Sequence, residues 1–241
     1  TNTRYLHPTM AQLAAKLVSL CPDPLQVCVF VNSGSEANDL ALRLARAYNG
    51  QQSQNMICFD GAYHGHTLRV LEVSPYKYTI GTEYVPTLQF PYHPHPNNSN
   101  NTNNNTKFSV KNQYRTPKPY IWQCPRPDTY RGPHSVHDDC QIDNKNLFAL
   151  GEAYASYVEE ACEYYTHVKQ EPVAGMIMEG GLSIGGCILP PPGFLQRAVP
   201  AIRKAGGIWI ADEVQTGFGR CGSTFWAWQH GLMAMKNDID N

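Results

Sequence analysis

The chain has 241 residues, 42% of them hydrophobic and 16% charged, with a formal net charge of −1. That is a globular composition, long enough for one large domain or two small ones, and it excludes a global field that would draw in nucleic acid or an anionic membrane surface. No apolar run approaches the roughly 20 residues needed to span a bilayer, so neither nucleic acid nor membrane is expected as a partner.

The chain opens on "TNTRYLHPTM", without an initiator Met or a signal-peptide core, and reads as an entry into the middle of a longer chain. The clearest unit follows. Gln26–Val31 is an apolar, β-branched run and predicts a buried strand. Ser33 is a natural N-cap and Glu36, three residues on, completes a capping box. Leu40, Ala41, Leu44, Ala45 and Tyr48 recur at helical spacing, and Gly50 stops the helix. Met56–Phe59 predicts a second, short strand that ends in the polar aromatic turn "GAYHGHT".

Between Pro86 and Pro119 the pattern breaks. "NNSNNTNNNTK" (97–107) is polar and of low complexity, so a disordered insert is expected over about 93–118. Its N-x-[ST] matches at Asn97, Asn100 and Asn104 arise by chance in such a tract and are not read as glycosylation sites. Beyond it, "EAYASYVEEACEYYTHV" is helical by pattern, Val173–Met178 is a third buried strand closed by Glu179, 193–205 is helical again, and Ile208–Ala211 is a fourth strand closed by Asp212. Continuous apolar strands alternating with helices imply an α/β fold with a mostly parallel sheet and helices on both faces.

Eight cysteines are scattered without a CxxC pair and are read as reduced core thiols of an intracellular protein. "HGH" (64–66) and "HPH" (93–95) have no Cys or carboxylate cluster at ligand spacing, so no metal site is expected.

In such sheets ligands bind beyond the carboxyl ends of the strands. All four predicted strands end there in conspicuous residues: Ser33-Gly34-Ser35, Tyr63-His64, Glu179 and Asp212. A Ser-Gly-Ser turn opening a helix offers N–H groups, a hydroxyl and a positive dipole end, which suit a phosphate; taken alone it is equally an ordinary N-cap. Tyr63 can stack on a flat ring, or be an ordinary loop aromatic. Asp212 is costly at the end of a buried strand unless paired. A pyridinium N–H would pair it. Val214 can pack on the other ring face, and Gln215 can meet a phenolic oxygen. Together these are the requirements of pyridoxal phosphate.

The stretches "SGSEAN" (33–38), "GAYHGHT" (61–67), "MEG" (178–180), "PPPGFLQ" (190–196) and "ADEVQTGFGR" (211–220) resemble the class III, ω-aminotransferase-like, pyridoxal-phosphate-dependent enzymes. The resemblance implies a fold-type I large domain over 1–241, partial, plus a smaller C-terminal domain absent here, in a homodimer. It implies phosphate binding by Gly34 and Ser35, ring stacking by Tyr63 with His64 beside it, and Val214 and Gln215 at the ring. It also implies two catalytic groups: Glu179 near the substrate amine and Asp212 at the ring nitrogen.

Within the family, "SPYKY" (74–78) and "PRPDTYRG" (125–132) look most like the phospho-lyases, which eliminate phosphate and ammonia from phosphorylated amino alcohols. The alanine–glyoxylate-type aminotransferases are the alternative. Arg131 is a candidate for a substrate phosphate and equally a structural surface arginine. One departure stands out. The family's Schiff-base lysine, expected about thirty residues after "DEVQ", is absent, and none of the nine lysines replaces it. The expectation is a fragment of a longer enzyme, cytoplasmic or mitochondrial, acting on a small amine. A further alternative is a catalytically inactive chain or assembly subunit. A nucleotide-binding domain using the Ser33–Ser35 turn is the remaining rival and leaves Asp212 and Gln215 unexplained.

Overall fold

The computed structural model describes residues 6–48, 53–78, 118–136 and 144–233. The Asn-rich stretch through 117 lies outside them.

A four-stranded parallel sheet in the order β2-β1-β3-β4 organises the chain. Its strands are β1 (Met56–Phe59), β2 (Ile121–Cys124), β3 (Gly175–Glu179) and β4 (Ile208–Asp212). Every pairing is parallel, and β3 meets β4 in continuous register from Gly175↔Ile208 to Glu179↔Asp212. Parallel neighbours need crossovers, and the helices α3 (Leu68–Leu71), α4 (Asn144–Glu163) and α5 (Phe194–Lys204) lie in them, while α2 (Gly34–Ala47) precedes β1. The remaining helices are α1 (Pro8–Val18) near the start and α6 (Trp228–Met233) near the end. Among the described residues no helix is long and apolar enough to cross a membrane.

Period-2 alternation divides the core in two. Ile57, Phe59, Met176 and Met178 join Tyr154, Val158, Phe194, Ala198 and Ile202 on the α4–α5 side. Met56, Cys58, Ile121, Ile177 and Ile210 join Leu42, Ala45, Val70 and Val73 on the α2–α3 side. Both faces of β1 and β3 are therefore covered, which explains why these strands are buried at every position and apolar up to Glu179 at the end of β3.

One expectation needs correction. Gln26–Val31 is no buried strand: it is unpaired, with Val27 86% and Val29 59% exposed. A strand is held by a neighbour's hydrogen bonds and by a face to pack on, and the described sheet offers neither here. The helix expected from the spacing is present as α2; its buried positions are Asn38, Leu42 and Ala45, and Leu44 and Tyr48 face outward. β2 is a strand that periodicity passed over, since four residues beside a low-complexity tract give no period to read. Pairing with β1 alone makes it a strand.

The other elements follow the residues. Ser33 Oγ accepts the N–H of Glu36, and the Glu36 carboxylate reaches back to Asn32, accepting from its N–H and side-chain amide at 2.8 and 2.9 Å. The capping box thus closes one residue earlier than the standard pattern. Gly193, at φ +87, turns the chain into α5, a conformation that favours glycine. The seven described cysteines are free. Burial pushes the thiols of Cys58, Cys124 and Cys162 up, Cys162 to about 12, so they act as small apolar core groups.

Candidate active site

The carboxyl ends of β1, β3 and β4 and the N-terminus of α2 converge on one cavity of about 150 Å³. Its lining is Ser33, Gly34, Ser35, Tyr63, His64, Gly65, Glu179, Asp212, Val214 and Gln215. Every residue singled out for the site from sequence is among them. Arg131 is not. It is exposed, its N–H donates to Asp128, and its guanidinium lies 5.5 Å from the Tyr130 ring.

The register of β3 on β4 sets Glu179 directly opposite Asp212, so two strands deliver two buried carboxylates to one place. Asp212 is 5% exposed and is held by three donors. Its Oδ2 lies 2.8 Å from both Asn38 Nδ2 and His64 Nδ1, and its Oδ1 accepts the Val214 N–H at 3.1 Å. Glu179 accepts the Tyr63 N–H on Oε1 and the Ser183 N–H on Oε2, each at 3.0 Å. Burial raises its pKa; the two N–H donors and His64 oppose that, and Asp212 adds to it. Glu179 therefore latches the turn after β1 to the turn after β3.

The residue after β4 behaves differently. Adjacent strand residues point to opposite sides, and Glu213 turns away from the cavity. It accepts the Thr216 hydroxyl and the N–H groups of Ala227 and Trp228, closing the turn that leads into α6. Of the two consecutive acids, one is aimed at the cavity and the other holds the chain that follows.

The Tyr63–His64 turn is fixed from several sides. His64 donates its N–H to Ser74 Oγ, which in turn donates to the Val70 carbonyl. The Tyr76 ring stands edge-on to Tyr63, centroids 6.1 Å apart. So "SPYKY" supports the aromatic wall of the cavity. His64 Nε2 is buried with no hydrogen-bond partner. Arg126, in "PRPDTYRG", donates to the Gly185 carbonyl and lies against Gly61, joining the turns after β1, β2 and β3.

At the mouth of α2 the backbone comes unusually close to its neighbours. A Cβ on Gly34 would lie 2.7 Å from Val214 Cγ2, and one on Gly65 (φ +125) would lie 2.9 Å from Ser35 Cα. Ser35 Oγ accepts the His66 N–H. Ser33 takes the N–H of Glu36 and its carbonyl that of Ala37, which leaves the first-turn N–H groups of Gly34 and Ser35 without intrahelical acceptors. A helix N-terminus in that state favours an anion. No lysine is among the lining residues.

Sequence reasoning missed Asn38, Ser74, Tyr76 and Arg126. All four lie inside stretches that carry the resemblance, but their tasks are contacts across 10 to 174 positions of chain, which no local pattern reports.

The sequence profile of the aminotransferase class-III family matches residues 2–117 and 133–239. "Alanine–glyoxylate aminotransferase 2-like" of Drosophila melanogaster is 42% identical over 95% of this chain and 38% of its own length. "Ethanolamine-phosphate phospho-lyase homolog 1" of Caenorhabditis elegans is 33% identical over 95% of this chain and 41% of its own. Among solved structures, a phospholyase from Arthrobacter in complex with phosphoethanolamine superposes with a TM-score of 0.64 at 25% identity, over 95% of this chain and 43% of that one. The chain thus spans less than half the length of these proteins.

Proposed function

The chain belongs to the class III aminotransferase family of pyridoxal-phosphate-dependent enzymes, and from that premise we propose that its cavity is the part of an active site that binds this cofactor and a small amine. The single observation that carries the reading is the buried Asp212 carboxylate, held by three donors and lining the same cavity as an open helix N-terminus. The residues fit the group. The N–H groups of Gly34 and Ser35 hold its phosphate, Tyr63 and Val214 cover the two ring faces, Gln215 meets the ring hydroxyl, and Asp212 accepts from the ring nitrogen. An ionised carboxylate there keeps that nitrogen protonated.

Bound in this way, pyridoxal phosphate supplies an electron sink conjugated with the substrate amine. The chain's own residues orient it and exclude water from its ring faces. Glu179 lines the same cavity and borders the amine. Among the described residues that line the cavity none is a lysine, so none of them supplies the amine that links the cofactor covalently in this family.

For the substrate we take a phosphorylated amino alcohol, eliminated to phosphate and ammonia. The supports are "SPYKY" and "PRPDTYRG", which brace Tyr63 and the Gly61–Gly185 contact, and the phospho-lyase relative and phosphoethanolamine-bound neighbour. The name of the Drosophila relative favours the second reading, amino-group transfer of the alanine–glyoxylate type. The whole protein is taken to be a homodimer.

The test is an absorbance titration of the chain with pyridoxal phosphate, followed by borohydride reduction and peptide mapping. Saturable binding that is lost in Asp212→Ala, with no label on a lysine, is the expected result. Absence of binding, or binding indifferent to Asp212→Ala, overturns the site. In the full-length protein, phosphate release from phosphoethanolamine separates the lyase from the transaminase reading, which instead yields pyruvate from alanine and glyoxylate.

A further inference from the structure

We propose that Asn38 is a positioning residue: its amide orients the Asp212 carboxylate toward the cofactor's ring nitrogen and ties the ring-stacking turn to that carboxylate. The inference rests on the pyridoxal-phosphate reading above.

Asn38 lies on α2, one turn beyond Gly34, and is 5% exposed. Its Nδ2 donates to Asp212 Oδ2 and to the His64 carbonyl, both at 2.8 Å. Both partners facing it are acceptors, so the orientation of the amide follows from the network: only the NH2 end satisfies them. One amide therefore joins three pieces of chain far apart in sequence. These are the helix that opens the phosphate site, the turn that carries Tyr63, and the end of β4.

The consequence for Asp212 follows from counting lone pairs. A carboxylate oxygen has about two acceptor sites. Oδ2 uses them on Asn38 and on His64 Nδ1. Oδ1 uses one on the Val214 N–H. The remaining site is on Oδ1, and the ring N–H meets it there. Without Asn38, Oδ2 keeps one donor, the carboxylate is free to turn about its last torsion, and the His64 carbonyl loses its partner. A buried polar group left unpaired is expensive, so the carboxylate rotates to recover a donor, while the turn stays held by the His64 N–H on Ser74 and the Tyr63 N–H on Glu179.

The experiment uses two ligands: pyridoxal phosphate and its carbocyclic analogue, in which C–H replaces the ring nitrogen. Kd for each is measured on the wild-type chain, on Asn38→Leu, which keeps the branched shape without the donors, and on Asp212→Asn. A hydrogen bond to a charged group makes the wild type prefer pyridoxal phosphate by roughly 10- to 100-fold. In Asn38→Leu that preference shrinks toward one, while affinity for the analogue changes less than about threefold. An equal loss for both ligands, with the preference intact, overturns the positioning role, because a merely structural residue weakens them alike. If the wild type binds neither ligand, or both equally, the pyridoxal-phosphate reading itself falls and the inference with it. If Asn38→Leu lacks the wild-type melting transition, the ratio is read on Asn38→Ala. Failure of both variants to fold also overturns the proposal, since Asn38 would then be needed for the fold rather than for the orientation of Asp212.

Discussion

"VCVFV" (27–31) and "IWIAD" (208–212) are similar on paper: five residues, mostly β-branched or aromatic, each leading into a Gly-containing motif. In the molecule they part. The second is β4, paired over its whole length with β3 and ending in a buried acid with three hydrogen-bond partners. The first is unpaired, with its valines and Phe30 exposed. Apolar β-branched composition states a preference for a pleated, half-buried surface. It does not create the neighbour that makes the surface. Where β3 stands alongside, the preference is realised and can even carry a carboxylate into the interior. Where the described chain has nothing alongside, the same kind of sequence stays unpaired and wet.

Substitutions sharpen or break this contrast. The largest effect is expected at the acid. Asp212→Ala leaves Asn38 and His64 without their shared acceptor, costs about 3 kcal/mol of stability and removes saturable pyridoxal-phosphate binding; urea midpoints and an absorbance titration report the two. Next, Ile177→Ala in β3 empties a fully buried site and costs about 2–5 kcal/mol in the same urea assay. A similar loss at Val29 would erase the contrast.

Gly34→Ala follows. Its new Cβ would meet Val214 Cγ2 at 2.7 Å, so it weakens cofactor binding about tenfold. Val214→Ala in the same chain restores part of that loss, a coupling that a binding double-mutant cycle detects.

Glu179 gives a dependence on pH. Burial raises its folded pKa above the ordinary glutamate value of 4.5. The folded state then holds the proton more tightly than the unfolded one. Its contribution is therefore fully present below the ordinary value and is lost as pH rises through the folded pKa. The stability of the wild type relative to Glu179→Gln is expected to fall with rising pH across that window and then level off, as denaturant midpoints at a series of pH values would show. A difference that grows with pH would mean the two N–H donors outweigh burial.

The smallest effect closes the comparison. Val29→Ser changes stability by no more than about 0.5 kcal/mol, and amide hydrogens of 27–31 exchange far faster than those of β3. Slow exchange at 27–31 would show that this segment is paired after all.

Legibility was uneven for physical reasons. β1, β3 and β4 were readable because each carries a continuous apolar run, broken in β3 and β4 only by the acid at the end, and α2 because Ser33 and Glu36 mark its start. The cavity was readable because open parallel sheets collect ligands at one end, and each strand end there carries a chemically distinctive residue. Asn38 was not readable as part of it. A buried amide on a helix resembles a surface polar residue until the acceptors it serves, 26 and 174 positions away, are brought beside it. β2 was missed because strands as short as "IWQC" are defined by their partner.

From the sequence alone came the parallel α/β class, the resemblance to the class III family, the phosphate-suited mouth of α2 and the acid at the end of β4. These depend on local periodicity, capping chemistry and residue type, all of which are written within a few positions of chain. Only the tertiary structure decided which apolar runs become strands, which of Asp212 and Glu213 faces the cavity, and which side chains hold Asp212 in place. Those outcomes depend on pairing and burial among segments far apart in the chain, and contacts of that range exist only once the sheet has formed.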